Sequence, residues 1–496
     1  GLTLALAGAV LAAFVVSLGA WTPAAGLAAA IVALTGLWIA GGAATALIGL
    51  AAPGERAERL PAGWTPRGRT AILVTLCGED ARPLAGQLAD LRRQLDAAGA
   101  GAAVRIFVLS DTTGAARVAR EEAALAALVR SGAVAYRRRA DNRGRKPGNI
   151  AEWVERAGDA FDYMLVLDAD SRIGARRVRA LIRRMDQCPR LGLLQAGIAL
   201  VPGRSRLGRH QRIAARLMGG NFARGLAAWA GDAGNYWGHN AIVRTRAFRA
   251  AVPLPRLAGP PPLGGAILSH DFVEAAWIRR AGWAVELDPD TAGSVEDAPQ
   301  TFAEFLRRDR RWCQGNLQHL RLLAEPGLHP FSRLHLASGV LGYLVAPLWL
   351  LLVMLIATGA VSVSGALPLL VVAFVLLLPK LCALLDWMRR ARTGPRRRVL
   401  LRASLAELGV SMLVAPLVLV RQAQAVAAVC LGRDCGWKDP SAPVSRLPAG
   451  CGEAATGAAL AGLGLWGSAA GVLWLAPVVL PLLAAPLVVA ALDARP

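Results

Sequence analysis

Three textures of apolar and polar positions succeed one another along the chain. No charge occurs before Glu55, and the opening apolar run is broken only at Trp21-Thr22-Pro23. It therefore divides into two spans of roughly 20 or more residues, each long enough to cross a bilayer. From about 70 to 325 the pattern changes to short β-favouring runs separated by amphipathic, charged stretches. Runs at 71–76, 104–109, 133–136, 163–167 and 191–200 predict strands. Helical periodicity lies at 82–97, 115–130 and 147–157, with a further helix at 175–187 between the last two strands. Such alternation implies a mostly parallel, helix-covered sheet in one domain of ordinary size.

The segment 300–324 sets Phe302, Phe305, Leu306 and Trp312 against many arginines. That pattern fits a helix lying on a membrane surface, and equally a helix packed within the domain. Beyond it, 334–379 carries no formal charge and accommodates two spans joined near 361–365. The stretch 403–432 is apolar but interrupted by Glu407, Pro416 and Arg421; one tilted span, a re-entrant hairpin and two short spans all fit. A Pro-rich polar loop (437–453) precedes the uncharged 454–492, which reads as two spans. The organisation expected is two transmembrane helices (1–54), a globular domain (55–325) and a membrane region (326–496) with about four to six spans.

Composition agrees: 55% hydrophobic residues over 496 exclude an ordinary soluble protein. A cleavable signal peptide is disfavoured, because two spans follow one another and no basic segment precedes the first. The chain opens at Gly1 rather than Met, so a preceding segment is expected. Net charge is +22, nearly all arginine, which suits an anionic membrane surface or anionic substrates; GC-rich coding also yields such a balance, and no nucleic-acid partner is expected. The linker 55–69 holds four arginines, and Arg389, Arg390, Arg392, Arg396, Arg397, Arg398 and Arg402 follow the later pair of spans. By the positive-inside rule both flanks of the domain face the cytoplasm. Seven cysteines, at spacings matching neither a zinc site nor a disulfide framework, read as reduced thiols.

The candidate chemistry gathers at predicted strand ends. The 163–167 run stops at Asp168 and Asp170, a pair suited to a hard divalent cation at the carboxyl edge of a sheet. The first strand ends in Thr75-Leu-Cys-Gly-Glu79-Asp80 and the second in Leu109-Ser-Asp111-Thr, where a nucleotide would lie. Arg139 to Asn149 brings Arg145, Lys146 and glycines to a helix start at Pro147, a ready anion site. Ser269-His-Asp271-Phe-Val-Glu274 puts a short carboxylate at a helix start, as a general base or an N-cap. In Arg308-Asp-Arg-Arg311-Trp312, guanidinium groups three apart can grip a pyrophosphate beside an aromatic plate for a sugar ring.

In this order, flanked by spans, the clusters resemble the processive inverting family 2 glycosyltransferases of the GT-A fold. More narrowly, Tyr236-Trp-Gly-His-Asn240, Ser269-His-Asp-Phe-Val-Glu-Ala275 and Arg308-Asp-Arg-Arg-Trp-Cys-Gln-Gly-Asn316 are similar to the glucans biosynthesis glucosyltransferase H group. The resemblance covers about 50–435. It implies an enzyme of the bacterial inner membrane that builds a β-1,2-linked glucan backbone from UDP-glucose with Mg²⁺ or Mn²⁺. It assigns Thr75, Glu79, Asp111 and Lys146 to uridine diphosphate, and Asp168 and Asp170 to nucleotide and metal. Asp271 becomes the general base, with Arg308, Arg311 and Trp312 on the acceptor side. The growing glucan, the bilayer, acyl carrier protein and periplasmic glucan-processing proteins are the implied partners. Arg308 stands where the wider family has Gln, and no C-terminal regulatory domain of the cellulose-synthase type is expected. Cellulose, hyaluronan and β-1,3-glucan synthases are rivals within the class. A transporter or receptor that merely binds nucleotide is disfavoured by Asp271 occurring with Asp168 and Asp170.

Overall fold

The computed structural model describes residues 1–53, 60–61, 63–391, 393–436, 448–467 and 469–495. Residues 54–59 of the linker, with two of its four arginines, and most of the polar loop (437–447) lie outside the described residues, as does Arg392. Two apolar helices, α1 (Leu2–Val16) and α2 (Pro23–Ala51), lead into the globular domain. Its elements are β1 (Thr70–Leu76), α3 (Ala81–Ala97), β2 (Val104–Ser110), α4 (Ala115–Arg130), β3 (Ala135–Arg138), α5 (Arg145–Ala157) and β4 (Tyr163–Asp168). Then come β5 (Arg172–Ile173), α6 (Ala175–Gln187), β6 (Leu191–Ala196), β7 (Ala199–Leu200), α7 (Arg206–Ala230), β8 (Ala241–Arg244) and α8 (Thr245–Ala251). The domain closes with α9 (His270–Arg280), β9 (Ala284–Asp288), β10 (Ser294–Glu296) and α10 (Phe302–Gln318). Six helices follow: α11 (Pro330–Ala357), α12 (Leu367–Arg390), α13 (Gly394–Cys430), α14 (Cys451–Gly467), α15 (Ala469–Leu483) and α16 (Ala485–Asp493).

The main sheet runs β3-β2-β1-β4-β8-β6-β9. Only β8 is antiparallel to its neighbours. Alternation along β1 explains the covering on both sides: Ala71 and Leu73 belong to one buried cluster, Ile72, Val74 and Leu76 to the other. The run expected as one strand at 191–200 is two. It breaks at Gly197, where an added Cβ would lie 2.7 Å from the Pro289 carbonyl oxygen. β6 stays in the main sheet, whereas β7 joins a small second sheet of order β5-β10-β7.

Two helices of the domain seat it on the membrane helices. α10 opens with a capping box: Thr301 accepts from the Glu304 N–H while the Glu304 carboxylate reaches back to the Thr301 N–H. Its Phe302, Phe305 and Leu306 pack into a cluster with Leu417 and Val420 of α13 and Leu482 of α15. The apolar face foreseen for 300–324 thus rests on protein, on the membrane helices themselves. α7 crosses α2 with the two backbones in contact. A Cβ on Gly49 would lie 1.9 Å from the Asn221 carbonyl oxygen, and one on Gly225 would lie 1.9 Å from that of Thr45. Asn221 Nδ2 donates to the Ala46 carbonyl at 2.9 Å, and Arg224 Nη2 meets Asp386 of α12 at 2.6 Å.

Four described helices are long and apolar enough to cross a membrane: α2, α11, α12 and α13. A bent pair at 475–493, broken by 62° between α15 and α16, makes five if counted as one. α1 has 15 residues, about 22 Å at 1.5 Å per residue, against a hydrocarbon core of roughly 30 Å. The interrupted stretch 403–432 is one continuous helix as far as Cys430, part of the 37-residue α13, with Pro416 inside it. Its Glu407 is buried and neutralised: Lys380 Nζ donates to both carboxylate oxygens at 2.6 Å. The bend between α15 and α16 turns the latter under the domain. There the Asp493 carboxylate accepts from the Phe302 N–H at 2.7 Å, and the Ala494 carbonyl accepts from the Arg206 N–H at 3.0 Å.

Because the Thr45 carbonyl oxygen and the Gly49 nitrogen occupy the space beside Gly225, Gly225→Val forces α7 off α2. Overpacking of this kind costs at least about 1–3 kcal/mol. The expected outcome is a lower apparent melting temperature in detergent, while Gly219→Val, where a Cβ meets nothing within 4 Å, leaves it near that of the unaltered protein.

Candidate active site

A cavity of about 570 Å³ opens at the carboxyl ends of β1, β2 and β4. Every residue the sequence assigned to nucleotide, metal and the arginine–tryptophan motif lines it: Thr75, Glu79, Asp111, Lys146, Asp168, Asp170, Arg308, Arg311 and Trp312. Asp271 does not. It lines an adjoining chamber of about 870 Å³ that shares Trp237, His239, Glu296, Arg308 and Trp312 with the first.

Asp111 is buried, and its carboxylate is already engaged. Arg139 grips it through Nε at 2.8 Å and Nη2 at 2.7 Å, and Asn149 Nδ2 donates to it at 2.9 Å. The same guanidinium donates to the Arg143 and Arg145 carbonyls at 3.0 Å each. In this arrangement Asp111 shapes the loop before α5, and Oδ2, which accepts from Arg139 Nη2, keeps acceptor capacity at the cavity the residue lines. That loop turns tightly: Gly144 and Arg145 both have positive φ (65° and 53°), and a Cβ on Gly148 would lie 2.1 Å from the Arg143 carbonyl oxygen. The turn aims Lys146 into the cavity, where Nζ pairs with Asp168 Oδ1 and donates to the Gly238 carbonyl at 2.7 Å. Thr75 Oγ1 donates to the same Asp168 oxygen at 3.2 Å.

The two acids of the Asp-x-Asp pair therefore sit in opposite fields. Burial alone would raise Asp168, but the charges of Lys146 and His239 and the bonds from Lys146 and Thr75 hold it far below the carboxylate range. Asp170 is pushed up, first by its depth in the cleft and then by the Asp168 charge.

Asp271 is the second residue of α9; the N-cap position belongs to Ser269. The alternative of an aspartate cap is thereby corrected, and the carboxylate is free to point into the chamber. Burial raises its pKa and Glu274 adds to that, while the neighbouring His270 opposes it. His270 Nδ1 lies 3.0 Å from Glu274 Oε1, and both are buried. α10 is held against this helix start at Gly315, where a Cβ would meet Ser269 Oγ at 2.3 Å. That contact fixes Trp312, 42% exposed, beside the shared space. The Arg308 guanidinium covers one face of its ring at 4.4 Å.

His239 and Glu296 are the site residues to which sequence reasoning gave no role. His239 lies within Tyr236-Trp-Gly-His-Asn240, so its motif was visible although its function was not. Glu296, in Ser294-Val-Glu296, carries no signal, because a two-residue pairing with β7 brings it in from the small sheet.

A GT-A glycosyltransferase is what this fold and site define: a mixed α/β sheet with Asp-x-Asp at the edge of β4. A family profile described as Glycosyl transferase family group 2 matches residues 163–385. Among curated relatives, glucans biosynthesis glucosyltransferase H of Cereibacter sphaeroides is 37% identical over 486 residues, covering 91% of this chain and 81% of the relative. The protein of that name from Vibrio cholerae is 41% identical over 431 residues, and that from Bradyrhizobium diazoefficiens 40% over 452. The chain belongs to the glucans biosynthesis glucosyltransferase H family. It spans 60% of the length of the Vibrio and Bradyrhizobium relatives. A solved mannosyltransferase from Pyrobaculum calidifontis, in complex with GDP-Man and Mn²⁺, aligns over 78% of this chain and 97% of its own, at 14% identity and a TM-score of 0.49.

Removing Arg139 strands the buried Asp111 charge. Arg139→Met should cost about 3–5 kcal/mol, read as a lower unfolding midpoint, and should weaken nucleotide binding by releasing the 139–149 turn. Adding Asp111→Leu to that variant should recover part of the stability without restoring binding.

Proposed function

We propose that the chain is an inverting glucosyltransferase of the bacterial inner membrane, its globular domain in the cytoplasm. It polymerises glucose from UDP-glucose into a β-1,2-linked backbone and passes the product across the bilayer. One observation carries the reading: a donor-type cavity with Asp168 and Asp170 meets an aromatic-lined chamber holding Asp271, so a sugar donor and a sugar acceptor can touch. A protein that only bound nucleotide would have no use for the second chamber. Identity of 37–41% to the relatives above favours the kind of glucan for which they are named over cellulose or hyaluronan as product.

The residues present fit a hard divalent cation. Both contacts to Asp168 fall on Oδ1, leaving Oδ2 and the Asp170 carboxylate for an ion. Among the described residues there is no preset cluster of three or more His, Cys, Asp or Glu. Such a sparse donor set suits Mg²⁺ or Mn²⁺, which commonly takes one or two carboxylates and completes its shell with substrate phosphate. When bound, the ion supplies Lewis-acid stabilisation of the departing diphosphate. Lys146, Arg308 and Arg311 add positive charge around the same cavity. Asp271 accepts the proton of the acceptor hydroxyl as its oxygen bonds to C1 of the donor glucose. The C1–O bond to phosphate breaks with its electron pair leaving on UDP, and attack from the opposite face turns an α donor into a β product.

Asp271→Asn should lower polymer synthesis by about two to four orders of magnitude while UDP affinity changes little, because Asp271 lies outside the donor cavity. The base must be unprotonated to act, and burial has raised its pKa. Synthesis by the unaltered enzyme should therefore fall as pH drops through a value above the ordinary aspartate range, with full rate on the alkaline side. Asp170→Asn should abolish Mg²⁺- or Mn²⁺-dependent UDP release without changing the melting temperature. Full activity of that variant in EDTA would sink the metal assignment.

A further inference from the structure

We propose that Glu296 selects which hydroxyl of the acceptor sugar attacks, and so sets the linkage of the product. The inference rests on the glycan-synthase reading above and adds a role that reading does not require.

Asp271 and Glu296 are the two acidic residues lining the acceptor chamber, and Glu296 alone of the pair also lines the donor cavity. It thus stands at the junction where acceptor and donor meet. Its backbone is fixed by pairing of β10 with β7, and its carbonyl accepts from the Val201 N–H at 3.0 Å. Its side chain is anchored on one oxygen only. Oε2 lies 3.3 Å from His239 Nε2 and 4.0 Å from Arg308 Nη2, which leaves Oε1 to accept a further hydrogen bond. The anchor is itself held: His239 Nδ1 lies 3.1 Å from both Ser171 Oγ and Asn240 Oδ1, and Asn240 Nδ2 donates to Ser294 Oγ at 2.8 Å. The side chain is 17% exposed and open to the chamber.

A second carboxylate is what regiochemistry needs. The ring hydroxyls of glucose are chemically similar, so a base at one point cannot choose among them. Stacking on the exposed Trp312 fixes the plane of the ring and leaves it free to rotate about the perpendicular. A second acceptor of hydrogen bonds, set apart from Asp271, removes that rotation. If O2 attacks, C1 is already occupied by the glycosidic bond to the chain, and O3–H is the free neighbour. On this proposal O3–H is the hydroxyl that donates to Glu296. A hydrogen bond from a hydroxyl to a charged group corresponds to about 10- to 100-fold discrimination.

The test uses the full chain in detergent, UDP-glucose and methylation analysis of the polymer. Glu296→Gln keeps the shape and removes the charge, while Glu296→Ala removes the acceptor atoms. For both, synthesis in the original linkage should fall about 10- to 100-fold, by more than any change in UDP affinity. A second linkage should appear, at the ring position adjacent to the original one. A single unchanged linkage at an unchanged rate overturns the proposal. So does loss of UDP affinity in step with synthesis, which would place Glu296 on the donor side. Should Glu296→Ala lower the melting temperature, His239→Gln decides, since it leaves the carboxylate without its anchor: mixed linkage is expected, and a single linkage overturns the role. The unaltered protein run in parallel tests the underlying reading by itself. Absence of polymer there removes the synthase assignment, whereas unchanged linkage in the variants removes only the role of Glu296.

Discussion

Contact between the backbones of α2 and α7 is the constraint on which the rest of the arrangement depends. Gly49 and Gly225 let two helices from different parts of the chain meet without intervening side chains. The pair Arg224–Asp386 and the bond from Trp387 Nε1 to the Leu217 carbonyl at 2.9 Å extend the same attachment to α12. α7 supplies one wall of the acceptor chamber, through Ala215, Gly219, Phe222 and Ala223. A wall so fixed to membrane helices keeps the chamber at the bilayer, whatever the rest of the domain does. α10 repeats the logic on the other side, seated on α13 and α15 while presenting Arg308 and Trp312 to the site.

Within the site, identical side chains are differentiated by their surroundings. Lys146 and Thr75 hold Asp168 ionised, whereas depth in the cleft and a like charge push Asp170 the other way. Asp271 is raised by burial in a chamber of its own. The same functional group thus meets three different surroundings, as the environment rather than the residue type decides protonation. The His270–Glu274 pair beneath Asp271 keeps a compensated charge close to it without touching the chamber's acceptor space.

Much of this was legible in the residue pattern. Helices α4 and α6 and strand β4 fall within a residue of their expected bounds, because β-favouring runs and amphipathic stretches there obey only local physics. Asp168, Asp170 and Lys146 were visible because strand ends and helix starts place side chains predictably. What escaped required contacts distant in sequence. α7, rich in Ala, Gly and Arg, has no strong stripe of its own; its position comes from α2. Whether the 300–324 helix lay on lipid or on protein could not be read, since both bury the same phenylalanines. Asp111 was visible at a strand end, but its engagement with Arg139, which lies 28 residues away, was not. Glu296 was invisible for the same reason, its neighbours being assembled by the sheet.

The bonds from Asp493 and Ala494 to the starts of α10 and α7 bear on timing. A ribosome makes Arg206 and Phe302 long before it makes their caps, 288 and 191 residues later. Until α16 has been synthesised and has turned back under the domain, the first turns of both helices that frame the acceptor chamber keep unsatisfied amide groups. Completion of the chamber is thus tied to completion of the membrane region. A partly inserted chain holds Asp168 and Asp170 beside a chamber whose walls are unfinished, so assembly of the membrane helices precedes completion of the site.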